Sequence, residues 1–205
     1  MRLALAGLLL GLPMAALAQS QPSVFPTRDV AVTYRTAGGP QGAPQEMQMA
    51  WLVSQRLMRV DLPASAQPGG MGGGWMVLDQ RNNRAQVVME QQRMFMNIEG
   101  RNMPGGGGFN PSPNARFTRE GSDRVAGTSC TTWRVEDGSN RARVCLTEDG
   151  VLLRAQNDAH PGQMLEATRV AYGTQDPVRF QVPSGYQPFE MPRIPRPDAP
   201  AAPAR

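Results

Sequence analysis

The sequence predicts a mainly β fold of the α+β class, one antiparallel β-rich domain with few short helices. Three observations carry that prediction. Short runs alternate apolar and polar residues, which is the period of a half-buried strand. Asn-Asn and Asp-Gly pairs fall between such runs, where hairpin turns are needed. Clusters of glycine and proline close the runs, and residues 45–59 are the only segment whose pattern also fits a helix.

Residues 29–36 alternate with Val30, Val32 and Tyr34 on one side, and Gly38-Gly39-Pro40-Gln41-Gly42 ends the run. Met47, Met49 and Trp51 alternate next, and residues 57–62 continue as Leu-Met-Arg-Val-Asp-Leu. This stretch reads as one long bent strand or two short ones, stopped by Pro63. The Gly-rich residues 68–74 form a flexible connection, since glycine holds a single conformation only at an entropic cost.

Residues 75–80 form the next strand. An Asn82-Asn83 turn pairs Arg81 with Arg84 and sets Leu78 against Val87 and Met76 against Met89. A second tight turn at Gln91-Gln92 sets Met89 against Met94 and Val87 against Met96. One face of these three strands then carries Met76, Leu78, Val87, Met89, Met94, Met96 and Ile98, and the other carries Trp75, Val77, Val88 and Phe95. With both faces apolar, each side of the sheet needs a cover. Residues 101–114, rich in glycine and proline, form a surface loop.

Order resumes at Phe117 and leads into a hairpin turned by Asp137-Gly138. On it Trp133, Val135, Ala142, Val144 and Leu146 face one way, while Thr132, Arg134, Arg141 and Arg143 share the face of Cys130 and Cys145. Asp149-Gly150 repeats the turn signal and aligns Leu146 with Leu153. Residues 164–172 form a further strand, and Phe180-Gln181-Val182 a short one before Pro183.

The first 18 residues have the pattern of an export signal: Arg2, an apolar run over residues 3–12, and Ala16-Leu17-Ala18 before Gln19. The expected organisation is a signal peptide over 1–18, one β-rich domain over 19–192, and a Pro/Ala-rich disordered tail over 193–205. Cleavage after Ala18 leaves 187 residues (205 minus 18) in the periplasm or the medium, enough for one domain with a real core. No later run reaches the 18 or more apolar residues of a membrane span, so no stable membrane anchor is expected.

Cys130 and Cys145 are the only cysteines, and an even number in an exported chain implies one disulfide. A tight Asp137-Gly138 turn sets Glu136 against Ser139 and Cys130 against Cys145. Directly opposed residues have Cα atoms roughly 4.5–5.5 Å apart, within the range a disulfide tolerates. Without a Cys-x-x-Cys spacing a redox-active pair is disfavoured.

Composition argues against most chemistry. All 21 basic residues are arginine; removing Arg2 leaves 20 against 17 acidic residues, interspersed rather than gathered, which does not suit nucleic acid. The single histidine, His160, lies in a loop-like Asp-Ala-His-Pro-Gly sequence, and no serine sits in a nucleophile elbow. Paired cysteines and one histidine leave too few ligands for zinc. Asp79, Glu90 and Asp123 read as solvated carboxylates, and no glycine run has the order of a phosphate loop. No cofactor and no enzymatic activity are expected. The unusual enrichment is methionine, 11 in the mature chain (13 minus Met1 and Met14). Thioethers at Met76, Met89 and Met94 offer a minor alternative, a Cu(I) site; an adaptable apolar lining is the simpler account.

With the hairpins assigned, the chain resembles a family of exported bacterial proteins known as domain of unknown function 4412. The resemblance is carried by Arg28-Asp29-Val30-Ala31-Val32-Thr33-Tyr34-Arg35, by Gly74-Trp75-Met76-Val77-Leu78-Asp79, by Val125-Ala126-Gly127 through Cys130-Thr131-Thr132-Trp133 to residues 144–154, and by Phe180-Gln181-Val182-Pro183-Ser184-Gly185-Tyr186. Such proteins look like relatives of the LolA and LolB lipoprotein carriers. That similarity implies a strongly curved antiparallel sheet, an incomplete barrel, with short helices against its concave side and an apolar cavity between. The functional expectation is non-enzymatic binding of a lipid, an acyl chain or a lipidated partner by the Met-rich face. The rival is a structural or envelope-interaction protein whose core is closed.

Overall fold

The structure, a computed structural model, describes residues 21–37, 44–62, 73–99 and 111–189. The signal, most of the glycine-rich connection, residues 100–110 and the tail from 190 lie outside them. Strands β1 (Val30–Ala37), β2 (Gln45–Leu52) and β3 (Leu57–Leu62) are followed by β4 (Gly74–Asp79), β5 (Arg84–Met89) and β6 (Met94–Glu99). A second run comprises β7 (Arg116–Val125), β8 (Thr128–Asp137), β9 (Asn140–Leu146), β10 (Leu152–Asn157) and β11 (His160–Tyr172), before the two-residue β12 (Gln187–Pro188). All belong to one sheet, ordered β12-β6-β5-β4-β3-β2-β1-β11-β10-β9-β8-β7. Pairing is antiparallel throughout except that β12 runs parallel to β6.

This architecture corrects the expected strongly curved sheet or incomplete barrel. The strand order ends at β12 and at β7, which do not pair, so the sheet is open and neither closed nor strongly curled. Nor do helices line one side: among the described residues the helical segments are the single 3-10 turns Val53–Gln55 and Pro177–Phe180. A physical reason lies at the edges. β7 is largely exposed, carries charged residues and is bulged between Arg119 and Gly121, features that discourage further strand pairing. Residues 45–59, compatible with a helix by pattern, form β2, a 3-10 turn and most of β3.

Hairpin registers follow the turn chemistry. In β4–β5, Asp79 pairs with Arg84, Leu78 with Ala85 and Met76 with Val87, two residues away from the expected register. The Asp79 carboxylate accepts from the backbone N–H groups of Arg81 and Asn82, both at 3.1 Å, and from Asn82 Nδ2 at 2.6 Å, which moves the turn one residue earlier. An even shift keeps every side chain on its face. The β5–β6 register is the expected one, with Met89 opposite Met94 and Val87 opposite Met96.

In β8–β9 the turn is Gly138-Ser139, with Gly138 at φ 61° in the first central position. Thr132 therefore pairs with Cys145, and Cys130 is its diagonal neighbour rather than its opposite. The disulfide forms across that diagonal, with Cα atoms 5.5 Å apart, because hairpin twist shortens one diagonal. Leu146 pairs with Leu152, not Leu153: Thr147 donates its N–H to the Val151 carbonyl and accepts the Val151 N–H on its hydroxyl, and the next register step is bulged. Phe180 ends a 3-10 turn instead of starting a strand, since Asp176 caps it by accepting from Val178 N and Pro177 fits the first position.

The first apolar cluster occupies one face from β1 to β6 and reaches Cys130, Cys145, Val151 and Leu153. Buried Tyr34 donates its hydroxyl to the Leu152 carbonyl at 2.6 Å, joining the two halves of the sheet. On the opposite face Ala50, Leu52, Trp75, Val77, Val88 and Phe180 form a second cluster, and Trp133, Val144, Leu146 and Leu152 belong to a third. The N-terminal segment crosses the β9–β10 turn, where Thr27 N donates to the Asp149 carbonyl at 2.9 Å.

At that crossing Gly150 has φ 85°, and a Cβ there would lie 2.5 Å from the Phe25 carbonyl oxygen. Gly150→Ala is expected to cost about 2–4 kcal/mol from backbone strain and overlap together, read as a lower urea midpoint. Reducing the disulfide, whose half-cystines are 15 residues apart, should lower stability by about 3 kcal/mol in the same assay.

Candidate functional site

The seven sequence-predicted lining residues share one face of β4–β6. Met76, Val87 and Met96 form one row across the three strands, continued into β3 by Val60. Leu78 and Ile98 flank Ala85 in the next row, and Met89 and Met94 face each other in a third. Met76, Leu78, Met89 and Ile98 are buried, whereas Val87, Met94 and Met96 are half-buried. Burial therefore fades toward β6 in the rows of Met76 and Met89, but not in the row of Leu78, where Ile98 is buried. Deeper in the same face lies a cavity of about 40 Å³, bounded by Phe25, Tyr34, Met49, Trp51 and Met58 among others. As for the thioethers considered for copper, Met89 and Met94 are direct partners, while Met76 is diagonal to Met89 across the β4–β5 ladder.

The other face is differently built. After β11 the chain turns back under Asp29, whose carboxylate accepts from Val53 N at 2.8 Å and Gln175 N at 3.0 Å. It then crosses the sheet as a strap over residues 175–189. Arg59 holds the strap by donating from Nη1 to the Arg179 carbonyl, while its guanidinium lies over the Trp75 ring at 4.2 Å and pairs with Asp61. At the far end Gln187 N donates to the Arg93 carbonyl and Phe189 N to that of Phe95, at 2.9 and 2.7 Å. Between strap and sheet lies an open cleft of about 660 Å³. Its sheet side includes Leu57, Val77 and Phe95, its strap side Phe180, Val182 and Tyr186, and its turn end Arg81, Asn82 and Arg84.

Sequence reasoning missed this cleft. Its signal was present: Trp75, Val77, Val88 and Phe95 marked a second apolar face, and Phe180, Val182 and Tyr186 supplied apolar side chains to cover it. What the sequence lacked was the path of residues 175–189 across β3–β6.

Electrostatics at the turn are specific. Burial by itself would raise the Asp79 pKa, but hydrogen bonds from the Asn82 side chain and backbone and from Arg84 outweigh it and hold the carboxyl below the usual range. Elsewhere Arg28 pairs with Asp149, Arg134 and Arg143 with Glu120, and Arg154 with Asp123 and Glu166. These pairs match part of the basic charge to carboxylates on neighbouring segments. His160 is exposed at the start of β11. Among the described residues no group of three or more His, Cys, Asp and Glu side chains is placed to hold a metal ion. No helix among them is long and apolar enough to cross a membrane.

These features define an open, mainly antiparallel β-sheet with two unlike apolar faces. The model of a domain of unknown function, DUF4412, matches residues 41–155, more than half of the chain, and the protein belongs to that family. No curated protein matches. Among solved structures, an uncharacterized conserved protein from Thermus thermophilus is 14% identical, with a TM-score of 0.53 over 79% of this chain and 90% of that one. Its similarity shows a shared fold. The MucA/MucB complex of Pseudomonas aeruginosa matches at 16% identity and a TM-score of 0.48, covering 75% of this chain and 55% of that chain, so this protein spans about half its length. A LolA superfamily protein from Nitrosomonas europaea matches at 11% identity and a TM-score of 0.37, over 77% of this chain and 91% of that one.

Lowered in the folded state, the Asp79 pKa gives stabilisation that is complete above the unfolded value, about 3.9. It is lost as pH falls further, because the unfolded chain takes up the proton first. Urea midpoints measured from about pH 5 down to pH 2 should therefore fall less steeply in Asp79→Ala than in the parent; identical slopes would show that the turn contributes nothing to the acid limb.

Proposed function

We propose that the protein is a non-enzymatic exported binding protein that takes an apolar ligand, a lipid, an acyl chain or a lipidated partner, on the face bearing Met76, Leu78, Val87, Met89, Met94, Met96 and Ile98. One observation carries the reading: along the row Val60, Met76, Val87 and Met96 burial declines toward β6, leaving apolar side chains half open at its end. Unbranched thioethers adapt to varied apolar shapes, as a site for flexible chains requires. Covering about 300 Å² of acyl surface there contributes near 7 kcal/mol before ordering costs. The export-signal pattern of residues 1–18 supports an encounter in the periplasm or the medium.

A second reading, a packed envelope-interaction protein without a ligand, draws support from the cavity of about 40 Å³ deeper in this face, which has room for about one water molecule. Native mass spectrometry of gently purified protein, together with displacement of a fluorescent phospholipid that has no carboxylate head, separates the two. Co-purifying lipid, and at least tenfold weaker binding of that phospholipid in Met96→Asp at near-parent stability, is the expected result. Absence of lipid together with no displaceable probe would favour the ligand-free reading.

A further inference from the structure

We propose that the cleft between the strap and the β3–β6 face is a separate binding site, for a small amphiphile with an apolar body and one carboxylate head. The site lies on the opposite side of the sheet from the Met-rich face and does not depend on it. Its volume, about 660 Å³, falls inside the range of roughly 300–1,000 Å³ typical of small-molecule sites. Its chemistry is divided in the way such a ligand needs. Leu57, Phe95 and Val182 with the buried Val77 provide an apolar strip. The polar Gln55, Gln86, Gln181 and Ser184 border it, and Arg81 and Arg84 stand at one end.

The charge at that end is unbalanced. Arg84 shares Asp79 with the Asn82 amide, and Asp79 is held ionised. Arg81 donates from Nη2 to the Ser54 carbonyl at 2.8 Å, a neutral partner. Among the described lining residues two guanidiniums thus face one carboxylate, and Arg81 is the cation whose charge has no carboxylate opposite it. A planar guanidinium already oriented by a backbone acceptor retains donors that suit a carboxylate fork. The cleft is also prebuilt: contacts from Asp29 and Arg59 fix one end of the strap, and the carbonyls of Arg93 and Phe95 fix the other. Little ordering is left to oppose binding.

Calorimetric titration of the mature protein with octanoate, octanol and octyltrimethylammonium tests the proposal. Octanoate should bind saturably, and about fivefold to tenfold more tightly than either comparison ligand. Arg81→Gln should erase that preference while leaving octanol binding in place, Val182→Asp should weaken both octanoate and octanol, and Met96→Asp should leave octanoate affinity within about twofold. Circular dichroism confirms that each variant is folded. The site is overturned by absence of saturable octanoate binding at millimolar concentration, by equal affinity for octanoate and octanol, or by octanoate binding that survives Arg81→Gln. Loss of octanoate binding in Met96→Asp instead would move the ligand to the other face.

Discussion

The double-sided burial of β4 governs the rest of the structure. Trp75, Met76, Val77 and Leu78 are consecutive, all buried, and point alternately to opposite faces. A strand of this composition is stable only when neither face meets water, so the sheet must be covered twice by different means. Met76 and Leu78 join the cluster that extends through β1–β3 to the disulfide. Trp75 and Val77 instead depend on a segment about a hundred residues later in the chain, which brings Phe180, Val182 and Tyr186 over them.

That dependence explains why the strap is anchored by polar contacts as well as by apolar ones. Asp29 binds both the 3-10 turn after β2 and the start of the strap, and Arg59 stacks on Trp75 while gripping the Arg179 carbonyl. β12 adds a short parallel pairing to β6. A cover fixed along two lines but raised between them leaves space, and the cleft is that space. On the other face, burial falls away toward β6 without such a cover among the described residues, leaving Val87, Met94 and Met96 half-buried. One sheet thereby offers two apolar surfaces of different character: adaptable and methionine-lined on one side, preformed and arginine-rimmed on the other.

Exclusive use of arginine fits the surface of the sheet. Planar guanidiniums reach across strands to carboxylates, as Arg154 does to Glu166 on β11 and to Asp123 on β7. Each such exposed pair contributes at most about 1 kcal/mol. Arg81 differs from these in that its guanidinium is held at the cleft by the backbone carbonyl of Ser54 rather than by a carboxylate.

From the sequence alone came the antiparallel β character, most strand positions, the shared face of the apolar residues on β4–β6 and the partnership of Cys130 with Cys145, because alternation and turn residues act over a few positions of chain. The β5–β6 register was legible for the same reason. Three other hairpin pairings were not: the Asp79 hydrogen bonds, the left-handed Gly138 and the Thr147–Val151 hydrogen bonds each chose among neighbouring arrangements that the sequence permits almost equally. In β4–β5 the shift was even and left the faces intact, so the predicted lining residues still came together. Tertiary structure alone decided that the sheet stays open, that residues 175–189 cross its second face, and that a cleft forms beneath them. Those outcomes depend on contacts such as Gln175 with Asp29 and Tyr34 with Leu152, between residues more than a hundred positions apart, and no local pattern encodes which distant segment will satisfy an exposed apolar face.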